Sequence, residues 1–399
     1  MIPDAAVAAA DVYKAGRLAG HLWRLGEHVT FAELDGYDGP AVATTLPRGH
    51  PPVTTDRFRL PAYFAGLLPE GQTRRVSLAR ALHLAEDDEL GLLAQIGADT
   101  IGDVQVVPAG TPLPTDALGE PVDLTELSFP ELLAVPDRLE HRAAVAGVQP
   151  KISYHSRTVA GGAAGRVILK LAPDASWHGV LHNEAVFTTA ARRVGLAAPD
   201  VELVDDRDGV GALAVTRFDR SVADGRLRRH AQEDAAQVLG LQPAEKYDPD
   251  ARQVVTALAE VCAAPRVARR DLLHQLLYSY TVGNNDVHAK NLSVGRDPHR
   301  GLWQVTPVYD VLHTWPYEGD HRFHPAIGAR PHDTASRRQW VALAADLGLP
   351  GRVVDKLIDA VGDGVGGLVD ELDAEQLNMP SSWVRDVHRR IRKRLRDLQ

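Results

Sequence analysis

One cysteine, Cys262, stands in 399 residues. Its solitude excludes an internal disulfide framework and any zinc site built on several thiolates, and it fits a reducing compartment. No apolar run approaches the ~20 residues that a membrane-spanning helix needs. The opening MIPDAAVAAADVYKAGRL also lacks a basic-then-apolar leader pattern. A cytoplasmic protein without a membrane partner is therefore expected. Positive charge is not in excess either: 44 Lys and Arg against 53 Asp and Glu leave a net charge of −9. That balance argues against binding nucleic acid by overall charge, although it leaves local basic patches open. Internal repeats and long low-complexity tracts are missing as well. At this length, two or three packed units are expected.

What is present divides the chain into three parts. Gly16–Leu34 reads as two alternating strands around Gly26-Glu27, and Thr73–Leu84 as a helix, so residues 1–124 form a small α+β unit. The Pro-rich and acidic text at 108–124 marks its edge. Residues 125–230 read as a short helix (Leu124–Ala134), a hairpin closing on the strand Val167–Leu171, a helix Asn183–Val194 stopped by Gly195, and a second hairpin, 201–204 with 211–218. Strand, strand, helix, strand, strand is the order of a kinase small lobe. From 231 to 399 the pattern is helical, with Glu233–Leu239, Ala251–Ala263 and Arg270–Thr281 as helices and short strands at 292–294 and 302–310.

Chemistry concentrates in GNNDVHAKN, residues 283–291. Phosphoryl transfer needs a carboxylate to orient the attacking hydroxyl, an amide and a second carboxylate for Mg²⁺, and a Lys on the phosphates. Asp286 and Asn291 have the Asp-x-x-x-x-Asn spacing of a kinase catalytic loop. Asp310 follows at the expected end of a strand, where a metal-binding carboxylate belongs. Read singly, Asp286 and Asn291 could be turn residues and Asp310 a helix cap. His288 lacks a second ligand at zinc spacing and reads as a loop brace. Lys290 is either solvated or placed to neutralise phosphate charge. Lys170, ending the apolar strand, calls for a carboxylate partner, for which Glu184 on the next helix is the candidate. Ala146-Gly147-Val148-Gln149-Pro150-Lys151 offers one glycine where a kinase phosphate loop has three, a weak signal in isolation. Trp383–Leu398 carries seven Arg or Lys on helical text, either a solvated face above the stripe Val384, Val387, Ile391, Leu395 and Leu398 or a contact for DNA phosphate.

Taken in order, AGVQPK (146–151), ILK (168–170), NE (183–184), TRFDR (216–220), QED (232–234), NNDVHAKN (284–291) and PVYDV (307–311) resemble the HipA-type serine/threonine kinases, toxins of bacterial HipBA toxin-antitoxin modules. FAGLLPEG (64–71) and IGADTIGDVQVVP (96–108) resemble that family's amino-terminal domain. The resemblance spans about residues 16–320. It implies an α+β, two-lobed protein-kinase-like fold with an amino-terminal α/β subdomain (1–124), a small lobe (125–230) and an all-α carboxy-terminal lobe (231–399).

It further implies Asp286 as catalytic base assisted by Lys290, and Asn291 and Asp310 as Mg²⁺ ligands. His288, Ala289 and Tyr309 would be phosphate-site contacts, Ala146 to Lys151 the phosphate loop, Lys170 with Glu184 the ATP-binding pair, and Thr216, Arg217 and Phe218 the hinge touching adenine through backbone. ATP and Mg²⁺ are the implied cofactors. The implied partners are a HipB-like helix-turn-helix antitoxin, operator DNA reached only through that antitoxin complex, and a protein substrate of the aminoacyl-tRNA synthetase kind. One departure is notable. Family members commonly carry an autophosphorylated serine where this chain has Ala144, so restraint is expected from another serine, such as Ser153 or Ser156, or from a partner alone. Two other readings stay open at this point: a catalytically weak corepressor scaffold, and a small-molecule kinase of the aminoglycoside or choline type.

Overall fold

The computed structural model describes residues 2, 8–114, 122–134, 155–160, 166–172, 176–317 and 334–399. The candidate phosphate loop Ala146 to Lys151, together with Ala144 and Ser153, lies outside the described residues.

The first sheet holds five strands in the order β4-β3-β2-β1-β5: β1 Ala8–Lys14, β2 Arg17–Leu25, β3 His28–Glu33, β4 Val53–Thr55 and β5 Val104–Pro108. The β2–β3 hairpin turns at Gly26, whose φ of 60° is the left-handed geometry that a two-residue loop requires. Helices α1 (Ala62–Ala65), α2 (Gln72–Ala81) and α3 (Glu89–Ile96) complete this unit. Val12, Leu22, Phe31, Phe64, Leu93 and Val106 are buried in its core, each worth about 1.5–3 kcal/mol of burial for the larger side chains.

After α4 (Phe129–Ala134) comes a four-stranded antiparallel sheet in the order β6-β7-β9-β8, formed by β6 His155–Ala160, β7 Arg166–Leu171, β8 Val201–Asp205 and β9 Gly211–Thr216. Alternate residues of β7, Val167, Leu169 and Leu171, are buried, the period-2 pattern of a strand with one inward face. Helix α5 (Val180–Ala190) packs on this sheet through Val180 and Leu181. A single 3₁₀ turn, 191–194, follows it, so the helix expected over Asn183–Val194 begins three residues earlier and tightens before Gly195, whose φ is 81°.

A small hairpin, β10 (Arg220–Ala223) and β11 (Arg226–Arg229), leads into the larger lobe. That lobe is built from α6 (Ala235–Val238), α7 (Ala251–Val261), α8 (Pro265–Val282), α9 (Arg337–Asp346), α10 (Gly351–Glu371), α11 (Ala374–Leu377) and α12 (Ser381–Asp397). It is helical in its mass but not all-α: β12 (Gln232–Asp234), β13 (Ser293–Arg296) and β14 (Trp303–Val305) form an antiparallel sheet beside the loop 283–291. Gln232, Glu233 and Asp234, expected to open a helix, are a strand because they pair with Gly295, Val294 and Ser293. The helix starts only after Asp234 caps it by accepting the Gln237 N–H at 2.8 Å.

The strand expected over 302–310 ends at Val305, two residues before Pro307, which has no N–H to give a ladder. Asp310 therefore sits in a turn rather than at a strand end. On α12 the apolar stripe packs down, Val384, Val387 and Ile391 being buried, while Arg394 of the basic run is itself buried. None of the described helices is long and apolar enough to cross a membrane.

Candidate active site

Helix α8 aims the candidate catalytic loop, residues 283–291. Pro265 opens it at a position where its missing N–H costs nothing, and Leu272, Leu273, Leu276, Leu277 and Tyr280 fix its inner face in the core. Gly283 closes it with φ at 85°. The Asn284 N–H returns to the Ser279 carbonyl at 2.9 Å and the Gly283 N–H to Tyr280 at 3.1 Å, a Schellman ending that turns the chain sharply away from the helix axis. A Cβ at 283 would collide with the His313 ring, so the close approach also demands glycine.

The loop is braced on every side. Asn284 Nδ2 donates to the Asp310 carbonyl at 2.9 Å, and Asn285 accepts from the buried Arg394 guanidinium at 2.6 Å. His288 acts as a brace: its Nδ1 accepts the Lys290 N–H at 3.2 Å, and its N–H donates to Asn291 Oδ1 at 3.1 Å. Ala289 is buried and donates its N–H to the Lys246 carbonyl at 3.0 Å. The Tyr309 hydroxyl donates to the Lys290 carbonyl at 2.7 Å and accepts from Ser293 Oγ at 2.5 Å, while its ring leans on Phe218 at 5.8 Å.

Asp286 is half-buried, and the Tyr247 hydroxyl donates to its Oδ1 at 2.6 Å. Burial pushes this carboxyl up to about 7; Tyr247 and the Lys246 charge pull it down, while Asp310 and Glu70 add to the rise. Across the cleft, the Lys170 ammonium contacts Glu184 at 2.6 Å and Asp310 at 2.5 Å. Burial opposes its charge, yet Asp310 and Glu184 hold it above the ordinary lysine value. Asp310 has φ of 59°, an uncommon conformation for a residue with a side chain, of the kind that clusters at functional sites. Asn291 Nδ2 reaches its second oxygen at 3.2 Å.

Lys290 borders the cleft but is not solvated. Its buried ammonium is bound by Asp234 at 2.6 Å and by the Gly66 carbonyl at 3.2 Å. Arg217 likewise spends its side chain elsewhere. Its guanidinium meets Asp219 at 2.6 Å and the Thr100 carbonyl at 2.9 Å, leaving only backbone to face a ligand.

Lys170, Glu184, Thr216, Arg217, Phe218, Asp286, His288, Lys290, Asn291, Tyr309 and Asp310 all line one cleft. Its space, open solvent included, is about 1260 Å³. Gly66, Leu67 and Glu70 from the first sheet unit line it too. Glu70, Asp234, Lys246 and Tyr247 were not assigned roles from the sequence. Two of them fall within the motifs FAGLLPEG and QED, which was the available signal; nothing local marks Tyr247. Among the described residues, no group of three or more His, Cys, Asp or Glu could hold a metal. Asp310 and Asn291 are oxygen-bearing residues of the kind that take Mg²⁺ together with substrate phosphates, but here both Asp310 oxygens face donors, Lys170 and Asn291 Nδ2, and Asn291 Oδ1 accepts the His288 N–H.

Residues 143–366 match the family described as HipA-like C-terminal domain, and residues 10–107 match the HipA N-terminal domain. The chain belongs to the HipA family. Among HipA relatives, "Putative kinase Y4mE" of Sinorhizobium fredii is 30% identical over 92% of this chain and 94% of its own length. "Serine/threonine-protein kinase toxin HipA" of Shewanella oneidensis is 29% identical over 64% of this chain and 63% of that protein. The structure is similar to HipA in the Shewanella oneidensis complex of HipA, HipB and operator DNA, with a TM-score of 0.73 at 20% identity over 98% of this chain and 97% of that one. That likeness shows the fold: a HipA fold, kinase-like and two-lobed.

Proposed function

We propose that this HipA-family chain is an ATP- and Mg²⁺-dependent protein serine/threonine kinase, acting as the growth-arresting toxin of a toxin-antitoxin pair. The observation that carries the reading is the convergence on one cleft of Lys170, bound to both Glu184 and Asp310, with Asn291 beside Asp310 and Asp286 on the loop above. A structural ion pair alone needs neither the amide nor the second carboxylate.

In this reading Lys170 leaves Asp310 to bind nucleotide phosphate while Glu184 keeps it oriented. Phe218 walls the adenine end, the Thr216 to Phe218 backbone borders the base, and Tyr309 stands at the phosphate side. Asn291 and Asp310 would hold the cation, which when bound offsets charge on the phosphates. Asp286 accepts or orients the proton of a serine or threonine hydroxyl; a carboxyl at about 7 is a competent base near neutrality. Lys290, fixed by Asp234, supports the loop rather than the phosphate. The family points to a translation component such as an aminoacyl-tRNA synthetase as substrate. It also points to a HipB-like antitoxin, with operator DNA reached through that partner.

The test is transfer from γ-labelled ATP into a cell lysate by the full chain and by Asp286→Ala. Label transferred by the first and lost in the second is expected; equal transfer by both would overturn the assignment. A chain with no Mg²⁺-dependent ATP affinity would be a scaffold instead.

A further inference from the structure

Four buried charges alternate beneath the catalytic loop. Glu70, from the turn between α1 and α2, is paired through Oε2 with Lys246. Its Oε1 lacks a hydrogen bond and stands 3.8 Å from the Lys290 ammonium, which Asp234 holds from the other side. All four residues are less than a tenth exposed, and Glu70 lines the same cleft as Asp286 and Lys170. Lys246 in turn carries two contacts of the site. Its carbonyl receives the Ala289 N–H at 3.0 Å, and the next residue, Tyr247, donates to Asp286 at 2.6 Å. The Tyr247 ring also stands edge-on to His288 at 5.3 Å.

We propose that Glu70 is a positioning residue of the active site: by anchoring Lys246 it fixes Tyr247 against Asp286, so the amino-terminal domain completes the catalytic site. The inference rests on the phosphotransfer reading above. Its physical basis is charge alternation. With Glu70 neutral, Lys246 loses the carboxylate that anchors it, and Asp286 is the other carboxylate whose field it feels. An unanchored Lys246 carries the adjoining Tyr247 away from Asp286, and the base loses the donor that orients it toward the acceptor hydroxyl. Nucleotide contacts on the Lys170 side stay as they are.

The experiment uses the full chain and compares wild type, Glu70→Gln, Lys246→Met and the double variant. Transfer from labelled ATP to casein, hydrolysis of ATP and binding of a fluorescent ATP analogue are measured across pH. Glu70→Gln is expected to lower kcat at least tenfold and to leave analogue affinity within twofold. The acid limb of its rate profile moves to higher pH, because a released Tyr247 no longer donates to the Asp286 carboxylate, a larger effect than the loss of the Glu70 charge, while Asp310 still opposes ionisation. The two single losses should not add in the double variant, since they act on one pair. That variant leaves no uncompensated charge, so it carries the same readouts if Glu70→Gln fails to fold. An active wild type with unchanged kcat and pH limb in Glu70→Gln, or additive losses, overturns this inference and leaves the kinase reading standing. A wild type without any turnover overturns both.

Discussion

The Lys170 ammonium serves two carboxylates at once, Glu184 at 2.6 Å and Asp310 at 2.5 Å, from a strand in one lobe to a turn in the other. Because Glu184 is nearly inaccessible, at 1% exposure, it depends on that ammonium for its charge.

Lys170→Met should therefore damage both function and stability. Loss of one preorganised charge on the transferring group costs about 10²–10³ in rate, and breaking a buried pair from one side costs roughly 3 kcal/mol. Urea denaturation and labelled-ATP transfer check the two effects. Full stability in the variant would show that Glu184 finds another partner or a proton.

Asp286 should make the rate and the stability pull in opposite directions. As a base it must be ionised, so transfer should rise as pH passes upward through about 7. Its folded value lies above the unfolded one, so the stability that protonation confers is fully present below about 4 and lost as pH rises through about 7. Asp286→Asn should abolish transfer yet stabilise the protein at pH 8, by up to about 4 kcal/mol for a shift of this size, and hardly at all at pH 4. Thermal melts at the two pH values decide it; an equal gain at both would place the effect outside Asp286 ionisation.

Tyr247→Phe removes a donor that favours the Asp286 carboxylate. The acid limb should move to higher pH and kcat should fall several-fold, with a stability loss of about 1 kcal/mol. A shift to lower pH would contradict the hydrogen bond. Glu70→Gln should move the limb the same way, since it acts through this donor.

How much of this was legible beforehand depends on distance along the chain. The Asp286 to Asn291 spacing and the Lys170 and Glu184 pair are local patterns, and the sequence shows them. So does the helix behind the loop, whose leucines repeat at helical spacing. Asp310 was misplaced at a strand end because the apolar text around Pro307 reads as strand, whereas pairing stops at Val305. The QED strand was read as helix because its identity comes from β13, about sixty residues away. The sequence points Lys290 at phosphate because its partners are distant in the chain: Asp234 is brought beside it by the pairing of β12 with β13, and Gly66 by the amino-terminal unit. Strand β1 begins with alanines of low strand propensity, and it forms through pairing on both sides, with β2 and β5.

Gly283→Ala should be costly for two separable reasons. Its φ of 85° disfavours any side chain, and the added methyl meets the His313 ring, which is held by the Val282 carbonyl at 2.7 Å. A loss of about 2–4 kcal/mol is expected, since a strained backbone position costs of order 1–3 and the clash adds to it. Chemical denaturation measures it. His313→Ala in the same background should recover part of the loss, and no recovery would assign the whole cost to the backbone.

Arg217, just after β9, ties the small lobe to the amino-terminal unit through its side chain. With Arg220 and Arg229 it surrounds Asp99 and Asp219, and the Gly102 N–H donates to Asp219 at 2.7 Å. Burial works against ionisation of both acids, but the guanidiniums win: Asp99 is held well below the usual carboxylate range and Asp219 at about 2. Stability from these groups is thus present above about 4 and is lost as pH falls through about 2. Arg217→Met leaves Asp99 and Asp219 undercompensated and should cost about 3–5 kcal/mol, with little sensitivity to salt because the cluster is buried. Asp219→Asn should remove the acid sensitivity of its own share. If Arg217→Met instead left stability unchanged and weakened only ATP binding, the side chain would belong to the nucleotide site after all.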